Sequence, residues 1–246
     1  MPRNTIIQRI SLFLRTGQLH LLFLEFIVVA VGLFFGFQLD RWYEQRQDTQ
    51  KIEQYVHRLL ADIDVDLSVL ERVLDSANYR LRATDMLFDS IDDLTIPGKN
   101  PTEYMIAFEQ SIYRYNLVTQ NATYTELVNT GDMALLPVSI RNGLYEYYGD
   151  LAQKSQFNSM RDNVQQESYS RFSGMLLPHQ IERGMKRDAT VRFSIDEAMA
   201  AAKRFRSRQE AIDWIPRLRI VHITEIADSN SITLRAADLK SRLKQY

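Results

Sequence analysis

The chain has 246 residues, 45% of them hydrophobic and 25% charged, and thirty basic against thirty-one acidic side chains leave a net charge of −1. That length suits one good-sized domain with an appendage, and the near-neutral balance excludes a global field that would draw the protein to nucleic acid or an acidic surface. The absence of cysteine excludes disulfides, iron–sulfur clusters, zinc–cysteine sites and thiol nucleophiles together.

The first element in chain order is a short basic tail, 1–18, carrying Arg3, Arg9 and Arg15. Residues 19–39 follow, LHLLFLEFIVVAVGLFFGFQL, which match the roughly 20 residues a helix needs to cross a hydrocarbon core. Arg41, Trp42 and Tyr43 come next, where amphipathic rings settle at the headgroup layer and an arginine snorkels outward, so they are the expected membrane-interface anchors. A signal peptide is the alternative, but the apolar run exceeds the usual core of about 7–15 residues and no small-residue cleavage site follows. The positive-inside rule is nearly balanced, since Arg46 and Lys51 join Arg41 downstream. The free amino terminus favours a cytoplasmic tail, and in a bacterium a periplasmic main domain at the inner membrane. Within the span, Gly32 and Gly36 form G-x-x-x-G, which either lets a second helix approach or reflects how common glycine is in membrane helices. Glu25 is either a paired intramembrane carboxylate or near enough the interface to stay wet.

Residues 40–246 read as a helical bundle domain, so the expected fold is all-α. No glycine or proline lies between Gly36 and Pro97, and the span is expected to continue into the first helix of the bundle until Pro97 and Gly98 end it. Val56, Leu60, Ile63, Leu67, Leu70, Leu74, Ala77, Leu81, Thr84, Phe88 and Ile91 set a seam of period near 3.5, whose partner is either another copy or a later helix of the same chain. Asn100 and Pro101 open a second helix that is predicted to reach about Val118. Thr123 and Glu126 form a capping box for a short helix that Gly131 stops in a left-handed conformation. A long helix is predicted over 138–172, a loop over 174–192, and an alanine-rich helix from Ser194 with Glu197. The last helix starts near Pro216, with Ile220, Ile223, Ala227, Asn230, Leu234 and Ala237 as its seam, and is expected to pack on the first.

A search for chemistry finds no dinucleotide, Walker, nucleophile-elbow or H-E-x-x-H motif. His20, His57, His179 and His222 lack the spacing of a di-iron bundle site, so no cofactor or metal is expected. Asp62, Asp64 and Asp66 begin like a calcium loop but fail at Leu67 and Val73, and read as a solvated acidic flank. Lys203, Arg204, Arg206 and Arg208 are a candidate contact for an anion or lipid headgroup, against a default of a solvated helix end. Tyr113, Tyr115, Tyr145, Tyr147 and Tyr148 read as core rather than pocket.

Three segments resemble an uncharacterised family of bacterial single-span membrane proteins, a domain of unknown function. They are the span and its exit (Glu25, Gly32, Gly36, Gln38, Asp40, Trp42, Glu44), the run Ala122, Thr123, Tyr124, Glu126, Leu127, Thr130 and Gly131, and Leu144 with Tyr147 and Tyr148. Gly36 stands where the family more often has alanine, and Asp40 where asparagine is common. The resemblance implies membrane location and a helical extracytoplasmic domain, and no activity. The expected function is a non-enzymatic membrane-anchored interaction or scaffold protein, whose partners are the bilayer and either itself or another envelope protein. The rivals are a sensor-like ligand-binding bundle, which would need a partner chain for output, and an enzyme with an unrecognised site.

Overall fold

Helix is the only regular structure that a glycine-free, proline-free run of such length favours, and α1 extends without a break from Leu19 to Asp89. The computed structural model describes residues 19–115, 117–186 and 190–246, and no strand occurs among them. The basic tail with Arg3, Arg9 and Arg15 lies outside the described residues. The protein is all-α. Two compact units divide the chain, Met1–Tyr55 and Val56–Tyr246. In the first unit one helix is long and apolar enough to cross a membrane, and its apolar side chains from Phe23 to Leu39 are uncovered by the protein itself.

The second unit departs from expectation where local polar chemistry ends a helix early. α1 stops well before Pro97, because the Ser90 hydroxyl turns back to the Leu87 carbonyl (2.7 Å) and Asp93 accepts from the backbone N–H and hydroxyl of Thr95. Pro97 and Gly98 instead sit in a short helix, α2 (Ile96–Lys99). α3 (Pro101–Gln110) ends short of Val118, and the chain after it is drawn aside by contacts described below. α4 (Ala122–Thr130) ends at Gly131 with φ +79°, as predicted. The expected Thr123–Glu126 capping box does not form: Thr123 is buried within the helix and Glu126 pairs with Arg58 at 2.5 Å. After a 3-10 turn, the predicted 138–172 helix is two, α5 (Val138–Ser155) and α6 (Asn158–Arg171), with the Ser155 hydroxyl bonded back to Ala152 at the break. The predicted 174–192 loop contains α7 (Pro178–Met185), where Gln180 Oε1 accepts from the Leu177 N–H. α8 (Ile195–Arg206) opens on the Ser194–Glu197 capping box, both bonds of which form, at 2.9 and 3.2 Å. α9 (Gln209–Ile212) and α10 (Ile215–Lys244) complete the chain.

α10 runs antiparallel to α1, tied at Asp64–Lys240 (2.5 Å), Arg80–Glu225 (2.5 Å) and Asp85–Arg219 (2.7 Å), so the two long helices do pack together. It also runs antiparallel to α5, through Glu146–Arg235 and the bond from Lys154 Nζ to the Asp228 carbonyl. The seam of α1 has the expected period, but only half the expected members. Val56, Ile63, Leu70, Ala77 and Thr84 are buried, while the alternate positions shift by one, to Leu59, Asp66, Val73, Arg80, Leu87 and Ser90. The seam predicted for α10 lies on the wrong face. Leu218, Val221, His222, Glu225, Ser229, Ile232, Ala236, Leu239 and Leu243 are buried, and Ile220, Ile223, Ala227, Asn230, Leu234 and Ala237 are exposed.

Near the start of α10 the core is aromatic and alanine-rich. Phe108 meets Phe205 edge-on at 5.5 Å, with Ala198, Ala201 and Ala202 letting α8 sit close. Gly143 marks where α5 meets α10, since a Cβ there would lie 3.1 Å from Leu239 Cδ1 and 3.3 Å from Arg242 Cδ. Gly149, on the exposed side of α5, has open space. Gly149→Ala should therefore stabilise the protein by about 0.5–1 kcal/mol through helix propensity alone, whereas Gly143→Ala should gain clearly less. Urea unfolding followed by circular dichroism, with both variants and the parent in the same detergent, checks the difference.

Candidate functional site

The candidate residues of the span are all surface residues of α1: Glu25, Gly32, Gly36, Arg41, Trp42 and Tyr43 are exposed. Apart from the helix's own backbone and the adjoining residues, no described atom lies within 4 Å of where a Cβ would stand at Gly32 or Gly36, so the folding of this chain does not itself require glycine there. The Arg46 guanidinium lies 5.6 Å from the Trp42 ring, within cation–π range, extending the group at the span's exit.

The basic run on α8 is divided. Arg204 Nε donates to the Met175 carbonyl at 2.8 Å and Arg208 donates to the Ser173 carbonyl, which secures the turn after Gly174 (φ +79°). Lys203 and Arg206 remain exposed at the helix's negative end. The four do not converge on one point.

Side chains that sequence patterning passed over make up the most unusual part of the second unit. Arg80 is fully buried on α1, with Nη2 on Glu225 Oε2 at 2.5 Å and Nη1 on Ser76 Oγ at 2.9 Å. Burial works against its charge, and Glu225 opposes that effect. On the other side of Glu225, Arg114 Nε stands 3.4 Å from Oε1, inside ion-pair range but not aligned for a hydrogen bond. Arg114 comes from the segment after α3, and its other nitrogens hold the start of α6, through Asp162 and Asn158 Oδ1 (2.6 Å). Beside it Arg161 of α6 donates to Asp228, whose carbonyl also accepts from Lys154 Nζ at 3.2 Å. Of these groups Arg114, Asn158, Lys154, Arg161, Glu225 and Asp228 line a cavity of about 100 Å³, with Thr119, Ser155 and Ser229 and an apolar side formed by Val73, Leu117, Leu151 and Ile232. His222 closes the arrangement from α10, donating Nε2–H to the Ser111 carbonyl at 2.8 Å, which helps to turn the chain out of helix after α3. Burial, and then the neighbouring Arg80 charge, push the His222 imidazole down to about 4.

A second buried polar cluster corrects the reading of the acidic flank. Asp66 is fully buried, accepting from the Gln120 N–H at 2.7 Å and the Tyr147 hydroxyl at 2.7 Å, and burial raises its carboxyl above the usual range. Tyr148 donates to the Gln120 carbonyl and stacks on Tyr124 at 4.0 Å. Two of the segments that carry the family resemblance therefore meet in space, and Tyr147 and Tyr148 are core as expected, while Tyr113 is half-buried and Tyr115 and Tyr145 are exposed. No group of three or more His, Asp or Glu side chains able to hold a metal occurs among the described residues. Hydrophobic periodicity could not have found Arg80, Asp66 or Glu225; the available signal was the three-and-four spacing itself, in which each occupies a seam position. Comparison with protein-family models, curated proteins and solved structures finds no match to this chain.

His222 carries a pH dependence whose sign follows from its position. The imidazole takes a proton less readily in the folded chain than in the unfolded one. Stability linked to it is therefore fully present above about pH 6.5 and lost as pH falls towards about 4, by about 3 kcal/mol in total. His222→Gln keeps a donor for the Ser111 carbonyl but does not titrate. Urea unfolding at pH 7.5 and 4.5 should show the parent losing at least 1 kcal/mol more than this variant between the two.

Proposed function

We propose that the chain is a self-associating, non-enzymatic interaction protein anchored in the bacterial inner membrane by residues 19–39, with its amino terminus cytoplasmic and the unit Val56–Tyr246 periplasmic. The observation that carries this reading is apolar helix surface that the protein's own fold leaves uncovered. One part is the span, with Trp42 and Tyr43 at its exit. The other is the outer stripe of α10, where Ile220 is 61% and Leu234 72% exposed. The resemblance to a single-span bacterial family supports the location, and the arginines of the tail support the orientation.

The partner on the α10 stripe is a second copy of the chain. Its heptad spacing is that of a coiled-coil seam, and Asn230 stands in the middle of it. An asparagine amide both donates and accepts, so about a two-fold axis it satisfies itself against the same residue of the other copy. In the span, Gly32 and Gly36 place two small residues on one face, which permits close approach of a second helix.

Alkaline phosphatase fused after Tyr246 should be active in bacterial cells and green fluorescent protein at the same place dark; the reverse pattern overturns the orientation. Full-length protein in detergent should sediment as a dimer. Gly32→Ile with Gly36→Ile should weaken it through the span, and Leu234→Glu should weaken it through α10 while leaving helicity unchanged. A monomeric parent, or a dimer that survives all three substitutions together, dismisses self-association by these faces.

A further inference from the structure

We propose that the cavity between α5, α6 and α10 is a binding site for a small monocarboxylate of acetate size. The first support is charge. Among the described residues, Arg80, Arg114, Lys154 and Arg161 are engaged with only three carboxylates, Glu225, Asp162 and Asp228. His222, whose imidazole burial and the neighbouring Arg80 hold neutral, adds no charge at neutral pH. One positive charge is left over, and the imbalance is sharper than the count, because the Asp162 side chain is 55% exposed while those of Arg114 and Arg161 are 5% and 6% exposed. Water screens the one acid more than the two cations. An excess charge held out of water is costly unless an anion joins it.

The second support is unmet hydrogen-bonding capacity. A guanidinium has five N–H donors in a planar fork suited to the two oxygens of a carboxylate. Among the described residues Arg161 makes one hydrogen bond, from Nη2 to Asp228, and its buried Nε has no partner. The buried Nε of Arg114 likewise has no hydrogen-bond partner. Both side chains line the cavity, as do Lys154, Thr119 and Ser229, which can donate to an oxyanion; Glu225 and Asp228 line it too, each already paired with these cations.

The third support is size. A volume of about 100 Å³ corresponds to roughly three waters, which is room for a carboxylate with a methyl or ethyl group and not for a sugar or a nucleotide. Val73, Leu117, Leu151 and Ile232 supply the apolar wall against which a short alkyl group fits. A planar monoanion with a small apolar end matches the charge, the donors and the wall together. Chloride matches the charge and accepts from N–H donors, but offers neither the planar pair of oxygens nor an end for the apolar wall.

The test uses full-length protein in detergent. Saturation-transfer NMR should show transfer from protein to the acetate methyl protons, and acetate at millimolar concentration should raise the unfolding midpoint, further with each increase in concentration, by an amount that chloride at equal ionic strength does not reproduce. Asn158→Asp retains the oxygen that accepts from Arg114 and adds the missing negative charge. It should fold with unchanged or higher stability and lose acetate affinity by at least tenfold. An acetate effect equalled by chloride, no saturation transfer to the parent, or full acetate binding by Asn158→Asp would each overturn the site.

Discussion

The ion pair between Arg80 and Glu225 decides how the two longest helices of the folded unit meet. A guanidinium cannot shed its proton in a protein, so an arginine with no exposed surface requires an acceptor at one place and in one direction. Glu225 provides it from α10 and so fixes the position of that helix along α1 at this level. Such a pair adds little net stability compared with apolar residues of the same volume, yet leaving either member alone costs about 3–5 kcal/mol. Its effect is therefore on register rather than on depth of the minimum. The exposed pairs Asp64–Lys240 and Asp85–Arg219 fall into place on either side of it, and pairs of that kind contribute about 1 kcal/mol at most.

The same pair sets the course of the chain elsewhere. Glu225 has a second oxygen, and it faces Arg114. Arg114 sits beyond α3 and reaches α6, so a residue of the segment after α3 is committed to the interior, next to the Ser111 carbonyl that His222 takes up. Those two contacts leave the segment after α3 no freedom to continue as helix. Gln120, at its far end, is held by Asp66 and Tyr148. The described residues of a connection that propensity alone would continue as helix are thus held out of helix by polar side chains from four helices. This polar layer interrupts α10 between the apolar stretch at Leu218 and Val221 and the one from Ile232 to Leu243.

What could be read from the sequence and what could not divide along this line. Gly131, the Ser194–Glu197 box, and the start of the last helix at Pro216 were legible because each depends on atoms a few residues apart. The period of the α1 seam was legible for the same reason. Its register was not, because ranking side chains by hydrophobicity prefers Leu67 to Asp66 and Leu81 to Arg80, and Arg80 finds its partner 145 residues away. The candidate site had the same difficulty throughout: Arg114, Arg161 and Glu225 look like ordinary surface residues until the fold brings them together. The seam of α10 was misread for the same reason: its period was legible, but apolar ranking chose Ile220, Ile223 and Leu234, which are exposed, over the face that carries His222, Glu225 and Ser229 inward.

That stripe also explains why the buried pair matters. α10 carries a second, lesser apolar stripe on its outer side. Turning it to bury Ile220, Ile223 and Leu234 would gain about 1.5–3 kcal/mol for each side chain taken from water. It would also expose Leu218, Val221, Ile232, Leu239 and Leu243, which are buried now, and lose more than it gained. Apolar burial therefore already favours the observed orientation. Arg80 adds to that preference, since the turned helix would carry Glu225 away and leave the guanidinium buried without a counter-charge. The ionic face is bound to the inside by a penalty that only the correct register avoids, and the apolar face is left outside, where a second helix can cover it.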